Sequence, residues 1–345
     1  MTIASAAVAA ADTGTDKGKG CSPVDRLASF VERDMLATEK LIHERMTSPV
    51  DLIPQLAHHL VDSGGKRLRP LLTLAAARLS GYSGAQHIRL AAAIEFIHTA
   101  TLLHDDVVDA SSLRRGKLAA NVVWGNKPSI LVGDFLFSRA FQLMVQTENL
   151  FVLDIVSDAA AVIAEGEVMQ LRSANNLAVT EDDYLKVVTA KTAALFSAAT
   201  ESGATLASAE KSLVTALRDY GHNLGIAFQL ADDALDYSGM QAQMGKSVGD
   251  DFREAKVTLP LIFAFARGDA AAKTFWRRTI ESGTQREGDL EQAIACVEAT
   301  EAIDGTRALA SRYAAQAVRA LSAFPPGELR ETLADVAQFC VARGY

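Results

Sequence analysis

Cysteine, aromatic side chains and long apolar runs are all scarce in this sequence, and each shortage excludes something. The three cysteines, Cys21, Cys296 and Cys340, are widely spaced and odd in number. They form no CxxC pair, so a disulfide framework is not expected, and a reducing, cytoplasmic setting fits them. Aromatics make up 6% of the 345 residues. Alanine is abundant instead, and small side chains let helices approach closely, which points to an all-α protein. No run of about 18 uninterrupted apolar residues occurs, so no membrane span is expected. The small apolar run Ile3–Ala11 has no basic residue ahead of it, which argues against a signal peptide. Basic charge is not in excess either. The formal net charge of −8 argues against a general nucleic-acid binder. No strand-like alternation persists long enough to propose a sheet, and no Pro/Ser-rich linker divides the chain.

What is present is helical periodicity. Residues 1–22 read as a mobile tail and 23–345 as one all-α domain. Apolar spacing predicts helices over 24–46, 52–62, 70–79, 87–110, 129–147, 151–172, 181–201 and 209–237, then shorter ones from Pro260 onward. Pro70 is placed in a first turn, where proline fits. Thr180 is placed as an N-cap, with Asp183 three residues on.

Two of these helices end in the same pattern. Asp105, Asp106 and Asp109 have DDxxD spacing, and Asp232, Asp233 and Asp236 repeat it 127 residues later. Residues i and i+4 share a helix face. Asp105 and Asp109 therefore project together, as do Asp232 and Asp236. Carboxylates crowded on apolar helices repel and are costly to bury unpaired. A divalent cation removes that cost, and two such helices face to face would make an oxygen-lined site of the kind Mg2+ uses when it bridges to phosphates. A single aspartate pair is also what an N-cap or a solvated face offers; its repetition favours the metal.

Basic groups are clustered. Lys66, Arg67 and Arg69 follow Gly64–Gly65 at a helix start, where the macrodipole disfavours cations unless an anion binds. Glycine lets backbone N–H groups approach a phosphate, and Lys/Arg supply charge and paired donors. Arg114 and Arg115 offer the same chemistry or form a solvated loop. His98, two turns before Asp105, is either a buried hydrogen-bonded histidine or a phosphate donor. Lys191, in the apolar stretch VVTAKTAALF, either snorkels outward or reaches a polar cavity. Thr192 and Gln229 are neutral and taken singly say little. Lys246 and Lys256 flank Asp250–Asp251 in a segment that reads in isolation as a loop. Cation sites, anion sites and greasy helices together suit a substrate with a charged head and a hydrocarbon tail.

In segments GGKRLRP (64–70), HTATLLHDDVVD (98–109), GDFLFSRAF (133–141), GEVMQL (166–171), AKTAALF (190–196), FQLADDALDY (228–237) and GKSVGDDFREAKVTLPL (245–261), the sequence resembles the trans-isoprenyl diphosphate synthases, specifically the long-chain polyprenyl diphosphate synthases that make octaprenyl, solanesyl or decaprenyl products. The segments run in family order over nearly all of the chain after residue 60. The resemblance implies an all-α, isoprenoid synthase-type helical bundle around a central cavity, usually a homodimer. It implies two or three Mg2+ ions held by Asp105, Asp109 and Asp232, with Asp106, Asp233 and Asp236 completing the catalytic motifs. It assigns Arg114, Lys191, Thr192, Gln229, Lys246 and Lys256 to the allylic diphosphate. It assigns Lys66, Arg69, His98 and Arg115 to isopentenyl diphosphate. The small Ala100 and Thr101 ahead of the first motif imply a long product for a quinone side chain, with Met144 and Phe141 as candidates for the tunnel floor. A peripheral membrane contact for product release is also expected.

Three other readings compete. His104–Asp105 is literally an HD pair, as in all-α metal phosphohydrolases, and His58, His59 and His98 lie upstream; that reading leaves the second DDxxD unexplained. Terpene cyclases share the first motif but carry a mixed Asn/Ser/Glu second one. A non-catalytic subunit of a heteromeric synthase would be expected to have lost the charged positions kept here.

Overall fold

The computed structural model describes residues 22–238 and 249–342. Helix α1 (Pro23–Phe30) starts from a capping box. Ser22 Oγ accepts from the Asp25 N–H, Asp25 Oδ2 accepts from the Ser22 N–H, and Pro23 fills the first turn. The chain turns at Val31 into α2 (Glu32–Arg45), so the helix expected over 24–46 is two. Then come α3 (Leu52–Val61), α4 (Leu68–Leu79) and the long α5 (Gln86–Val108). Helix α4 begins two residues before Pro70, after Arg67 in the left-handed region (φ 46°).

A feature that periodicity did not predict follows α5. Leu113–Arg114 and Lys117–Leu118 pair antiparallel across Arg115–Gly116, both at positive φ. Two left-handed residues match the twist of a tight hairpin. The ladder is too short to show alternation, so the sequence reads there only as a basic connection.

Helices α6 (Ala120–Trp124), α7 (Asn126–Val145) and α8 (Leu150–Ser173) come next. Thr180 caps α9 (Glu181–Val188) as expected, its hydroxyl accepting from the Asp183 N–H at 3.2 Å. The helix expected over 181–201 then changes gauge. Thr189–Ala193 is a π turn, and α10 (Ala194–Leu206) resumes the α period. Helix α11 (Lys211–Asp236) carries the second acidic motif. The C-terminal part holds α12 (Asp250–Arg253), α13 (Leu259–Arg267), α14 (Ala270–Trp276) running into a π turn at Arg277–Glu281, α15 (Asp289–Ala299), α16 (Ala302–Ala320) and α17 (Glu328–Ala342).

Apolar residues of α5, α7 and α8 form one core, which includes Ala100, Leu136, Leu143, Met144 and Val156. A second core joins α4, α10, α11 and α17 around Phe196, Leu224 and Val336. Alanines and glycines set the close approaches. A Cβ at Gly166 of α8 would stand 2.8 Å from the Lys191 backbone nitrogen, so glycine is what lets α8 lie against the π turn. The architecture is the all-α bundle expected, with the acidic ends of α5 and α11 opening on a common cavity.

Candidate active site

The cavity measures about 630 Å³. Asp105 and Asp109 at the end of α5, and Asp232, Asp233 and Asp236 at the end of α11, all line it. Asp106 does not. It is fully buried and takes hydrogen bonds from Arg114 Nε, at 2.8 Å, and from Arg114 Nη2. One carboxylate of the first motif thus anchors an arginine while its two neighbours face the cavity.

Four of these acids have defined settings. Asp105 lies 3.6 Å from Lys191 Nζ, which also bonds Glu167 Oε2 at 2.7 Å. Asp109 accepts from Lys256 Nζ at 2.8 Å, and Lys256 is shared with Glu254 at 2.6 Å. Asp233 accepts from the Tyr184 hydroxyl and, at 2.7 Å, from Gln229 Nε2. Gln229 Oε1 in turn accepts from Thr192 Oγ1 at 2.8 Å. Asp236 is clasped by the Asp250 and Asp251 N–H groups at 3.2 and 3.0 Å. The π turn puts Lys191 and Thr192 on this wall, as such turns often do at functional sites.

The acids are crowded enough to resist ionisation together. Burial pushes the Asp105 carboxyl up to about 7, against the pull of Lys191 and with the repulsion of Glu167 and Asp109. Burial likewise carries Asp233 to about 7 and Asp236 to about 6, over the opposing hydrogen bonds and with neighbouring aspartates adding to it. Asp251 is raised strongly, by burial and then by Asp233 and Asp236. Glu167 Oε1 and Asp106 Oδ2 are buried without a hydrogen-bond partner among the described residues. The donors that the two acidic motifs turn to the cavity are carboxylate oxygens, which suits a hard divalent cation better than a soft one.

The opposite wall is basic. Lys66, Arg69, His98, Arg114 and Arg115 line the same cavity. Arg69 Nη1 stands 3.2 Å from His98 Nε2, and its guanidinium lies over the Phe196 ring at 4.3 Å. Its Nε is buried without a partner among the described residues. Burial lowers the Arg69 pKa to about 10. Burial and four surrounding arginines hold the His98 imidazole well below its usual range, so it is neutral near pH 7. Gly65, at φ 133°, brings the backbone so near the Arg115 guanidinium that a Cβ there would sit 2.8 Å from it.

Some residues of the site carried no earlier prediction. Glu95, buried in α5, pairs with Arg67, whose other nitrogen reaches the Val61 carbonyl. Arg67 is thereby turned to structural use inside the basic turn. The signal was a lone acid in the apolar run AAAIEFIHTA. Glu167 lay within GEVMQL without being singled out, and nothing in the sequence marked Tyr184 as the partner of Asp233. Lys246 lies outside the described residues.

The histidines do not converge. His104 turns to the Ile130 carbonyl (3.2 Å) and Asp134 (3.5 Å) on α7, while His59 meets the Leu118 carbonyl at 2.8 Å. The HD pair is therefore split between two faces of α5. Phe141 lines neither the cavity nor the recess of about 340 Å³ beside it, and it is one-third exposed on α7. Met144 is fully buried.

Comparison with known proteins agrees with this geometry. The Polyprenyl synthetase family model matches residues 50–297. The octaprenyl diphosphate synthase of Escherichia coli (strain K12) is 44% identical over 93% of this chain and 99% of its own. The all-trans-nonaprenyl-diphosphate synthase (geranyl-diphosphate specific) of Rhodobacter capsulatus is 40% identical over 91% and 96%. A polyprenyl synthase from Caulobacter crescentus CB15, crystallised with calcium and isoprenyl diphosphate, superposes with a TM-score of 0.92 at 52% identity, covering 95% of this chain and all of that one. A decaprenyl diphosphate synthase from Rhodobacter capsulatus superposes at 0.89 with 54% identity, covering 94% and 100%. Matching motifs, an acid-walled and base-walled cavity, and relatives along nearly the whole length agree: the chain belongs to the polyprenyl synthetase family and is a prenyltransferase that makes long-chain polyprenyl diphosphates.

Proposed function

We propose that the enzyme condenses isopentenyl diphosphate repeatedly onto an allylic diphosphate such as farnesyl diphosphate, in a Mg2+-dependent reaction, to build an all-trans chain for a quinone. The observation that carries this reading is the juxtaposition, across one cavity, of carboxylates from α5 and α11 with Lys66, Arg69, His98 and Arg115. Two anionic groups need two binding sites, and this cavity has one wall of each kind.

Asp105, Asp109 and Asp232 would hold the divalent ions, two or three in number. Bound there, the ions would supply positive charge to the departing diphosphate. The fit is supported by the oxygen donor set and by the unpartnered Glu167 Oε1 beside it. Lys191, Arg114 and Lys256 orient the allylic diphosphate, as Lys246 is proposed to do, and stabilise charge as its C–O bond ionises. Thr192 and Gln229, already bonded to each other, face the cation with neutral oxygen dipoles that do not capture it. Arg69 and Arg115, with Lys66, fix isopentenyl diphosphate, and neutral His98 serves as hydrogen-bond donor or acceptor. Holding the double bond near the cation removes most of the entropic cost of the encounter. The proton lost after C–C bond formation passes to the released diphosphate.

Several features extend this reading. Residues 23–345 act as one catalytic domain in a cytoplasmic enzyme, with 1–21 outside the described residues. A homodimer would cover the apolar side chains left on α7 and α8: Leu131 (66% exposed), Val145 (62%), Leu150 (80%) and Phe151 (74%). Among the described residues no helix is long and apolar enough to cross a membrane, so contact with lipid during product release would be peripheral. The decisive experiment incubates purified protein with Mg2+, isopentenyl diphosphate and farnesyl diphosphate and measures product length. Light scattering should give twice the 36.8 kDa chain mass. Phosphate release without chain extension would overturn the assignment.

A further inference from the structure

We propose a second metal site, separate from the cavity, in which His43 of α2 and His58 and Asp62 at the end of α3 bind a borderline transition ion such as Zn2+. None of the three lines the cavity. Among the described residues they are the only His/Cys/Asp/Glu trio whose ligand atoms all lie within 4.8 Å of one another.

The ligand atoms are near the spacing of shared ligands. His58 Nδ1 stands 3.3 Å from Asp62 Oδ2, and His43 Nε2 stands 3.9 Å from Asp62 Oδ1. Both exceed the ordinary N–H···O distance of about 2.9 Å. A tetrahedral ion with bonds of about 2.0–2.1 Å separates its ligand atoms by about 3.3–3.4 Å. The His58–Asp62 pair already has that spacing, and His43, which faces the other carboxylate oxygen, closes on the shared ion by side-chain movement. The imidazole rings are stacked at 5.2 Å and 20°, so one ring must turn about its side-chain torsions to bring its in-plane lone pair onto an ion held by the other. His58 and Asp62, four apart at a helix end, offer two donors from one face, and His43 adds a third from another helix. His59, next in sequence, is engaged elsewhere with the Leu118 carbonyl.

The donor chemistry differs from that of the cavity. Two imidazoles and one carboxylate suit Zn2+ or Co2+, whereas the all-oxygen donor set of the acidic motifs suits Mg2+. All three side chains are partly or fully exposed, so a hydrated ion can enter and keep water as its fourth ligand. Such an ion would clip α2 to α3 just ahead of Ser63–Gly65, the turn that leads to Lys66.

The test titrates the full-length protein with Co2+ in excess Mg2+, following equilibrium dialysis and the visible absorbance of four-coordinate, nitrogen-ligated Co2+. Wild type should bind one Co2+ with that signature, and thermal scans should show Tm rising with Co2+ or Zn2+. His43→Gln and His58→Gln should each weaken binding by about tenfold or more, with unchanged circular dichroism. An Asp105→Ala variant should retain it. Undiminished binding in both histidine variants, loss only in Asp105→Ala, or no binding by wild type would each overturn the proposal.

Discussion

Lys256 Nζ lies 2.8 Å from Asp109 Oδ2, so a lysine that follows the second acidic motif is bonded to the last carboxylate of the first. The contact spans 147 residues of sequence. Asp109 and Glu254 raise the Lys256 ammonium above its usual range although burial opposes them. On the proposed reading this lysine must exchange partners, leaving Asp109 for a diphosphate when substrate arrives. Lys256→Met should then cut kcat/KM for the allylic diphosphate by about 10²–10³-fold while leaving the KM for isopentenyl diphosphate within a few-fold. Initial rates with each substrate varied separately will tell, and equal effects on both would refute the assignment.

The two-sided arrangement of acids makes a sharper demand. Asp105→Ala and Asp232→Ala remove carboxylates from opposite helices that line one cavity. Each should lower turnover by about a thousandfold or more, with the circular dichroism spectrum and Tm of a folded protein. Near-normal rates in either variant would remove the two-sided clamp from the mechanism.

His98 provides a pH test of the basic wall. Burial, then Arg69, Arg115, Arg67 and Arg114, keep its imidazole well below the usual 6.5. The unfolded chain takes up a proton below about that pH and the folded one does not. The stability linked to this group is complete above pH 6.5 and is lost as pH falls below it. Wild type should lose Tm between pH 6.5 and 5 more steeply than His98→Gln. Parallel curves in differential scanning calorimetry would mean that His98 titrates freely and that the arginines do not bear on it.

On the proposed reading, Met144 is a candidate for the tunnel floor, where the growing chain stops. Its side chain is fully buried in the core that joins α5, α7 and α8 and that also holds Leu143, Val152 and Val156. Met144→Ala should cost about 2–5 kcal/mol through the space it leaves and should lengthen the product, because that space becomes available to the hydrocarbon tail. Chromatography of extension products checks the second part. A lower Tm with an unchanged length distribution would make Met144 a packing residue alone.

Much of this site was readable before the fold was known, and the reason is local. DDxxD, KRLRP and AKT place their chemistry within one or two helical turns, where a fixed period relates sequence to face. What was unreadable depends on distance. Glu95 meets Arg67 from 28 residues away, and Tyr184 meets Asp233 from 49. No period links such pairs. The same limit explains Asp106. The period sets it off the face that Asp105 and Asp109 share, but does not say what it meets there, which is Arg114 on the returning chain. Helix ends were legible where a side chain caps them, as at Thr180, and misplaced where the backbone alone decides, as at Arg67 and Val31. Phe141 could not be placed from the sequence for a related reason. Apolarity identifies a side chain that avoids water, but not whether it faces the interior or the outer surface of α7.

The π turn at Thr189–Ala193 has a consequence for how this gene tolerates change. A widened turn is equivalent to one extra residue inserted in a helix. Deleting a single codon there would let α9 and α10 join as one regular helix, so the lesion would be mild for folding. It would also remove the bulge that carries Lys191 and Thr192 to the cavity wall, and the two could not both keep their places beside Asp105 and Gln229. Such an allele would yield abundant, soluble and catalytically dead protein, an unusual pairing for an in-frame deletion inside a helix.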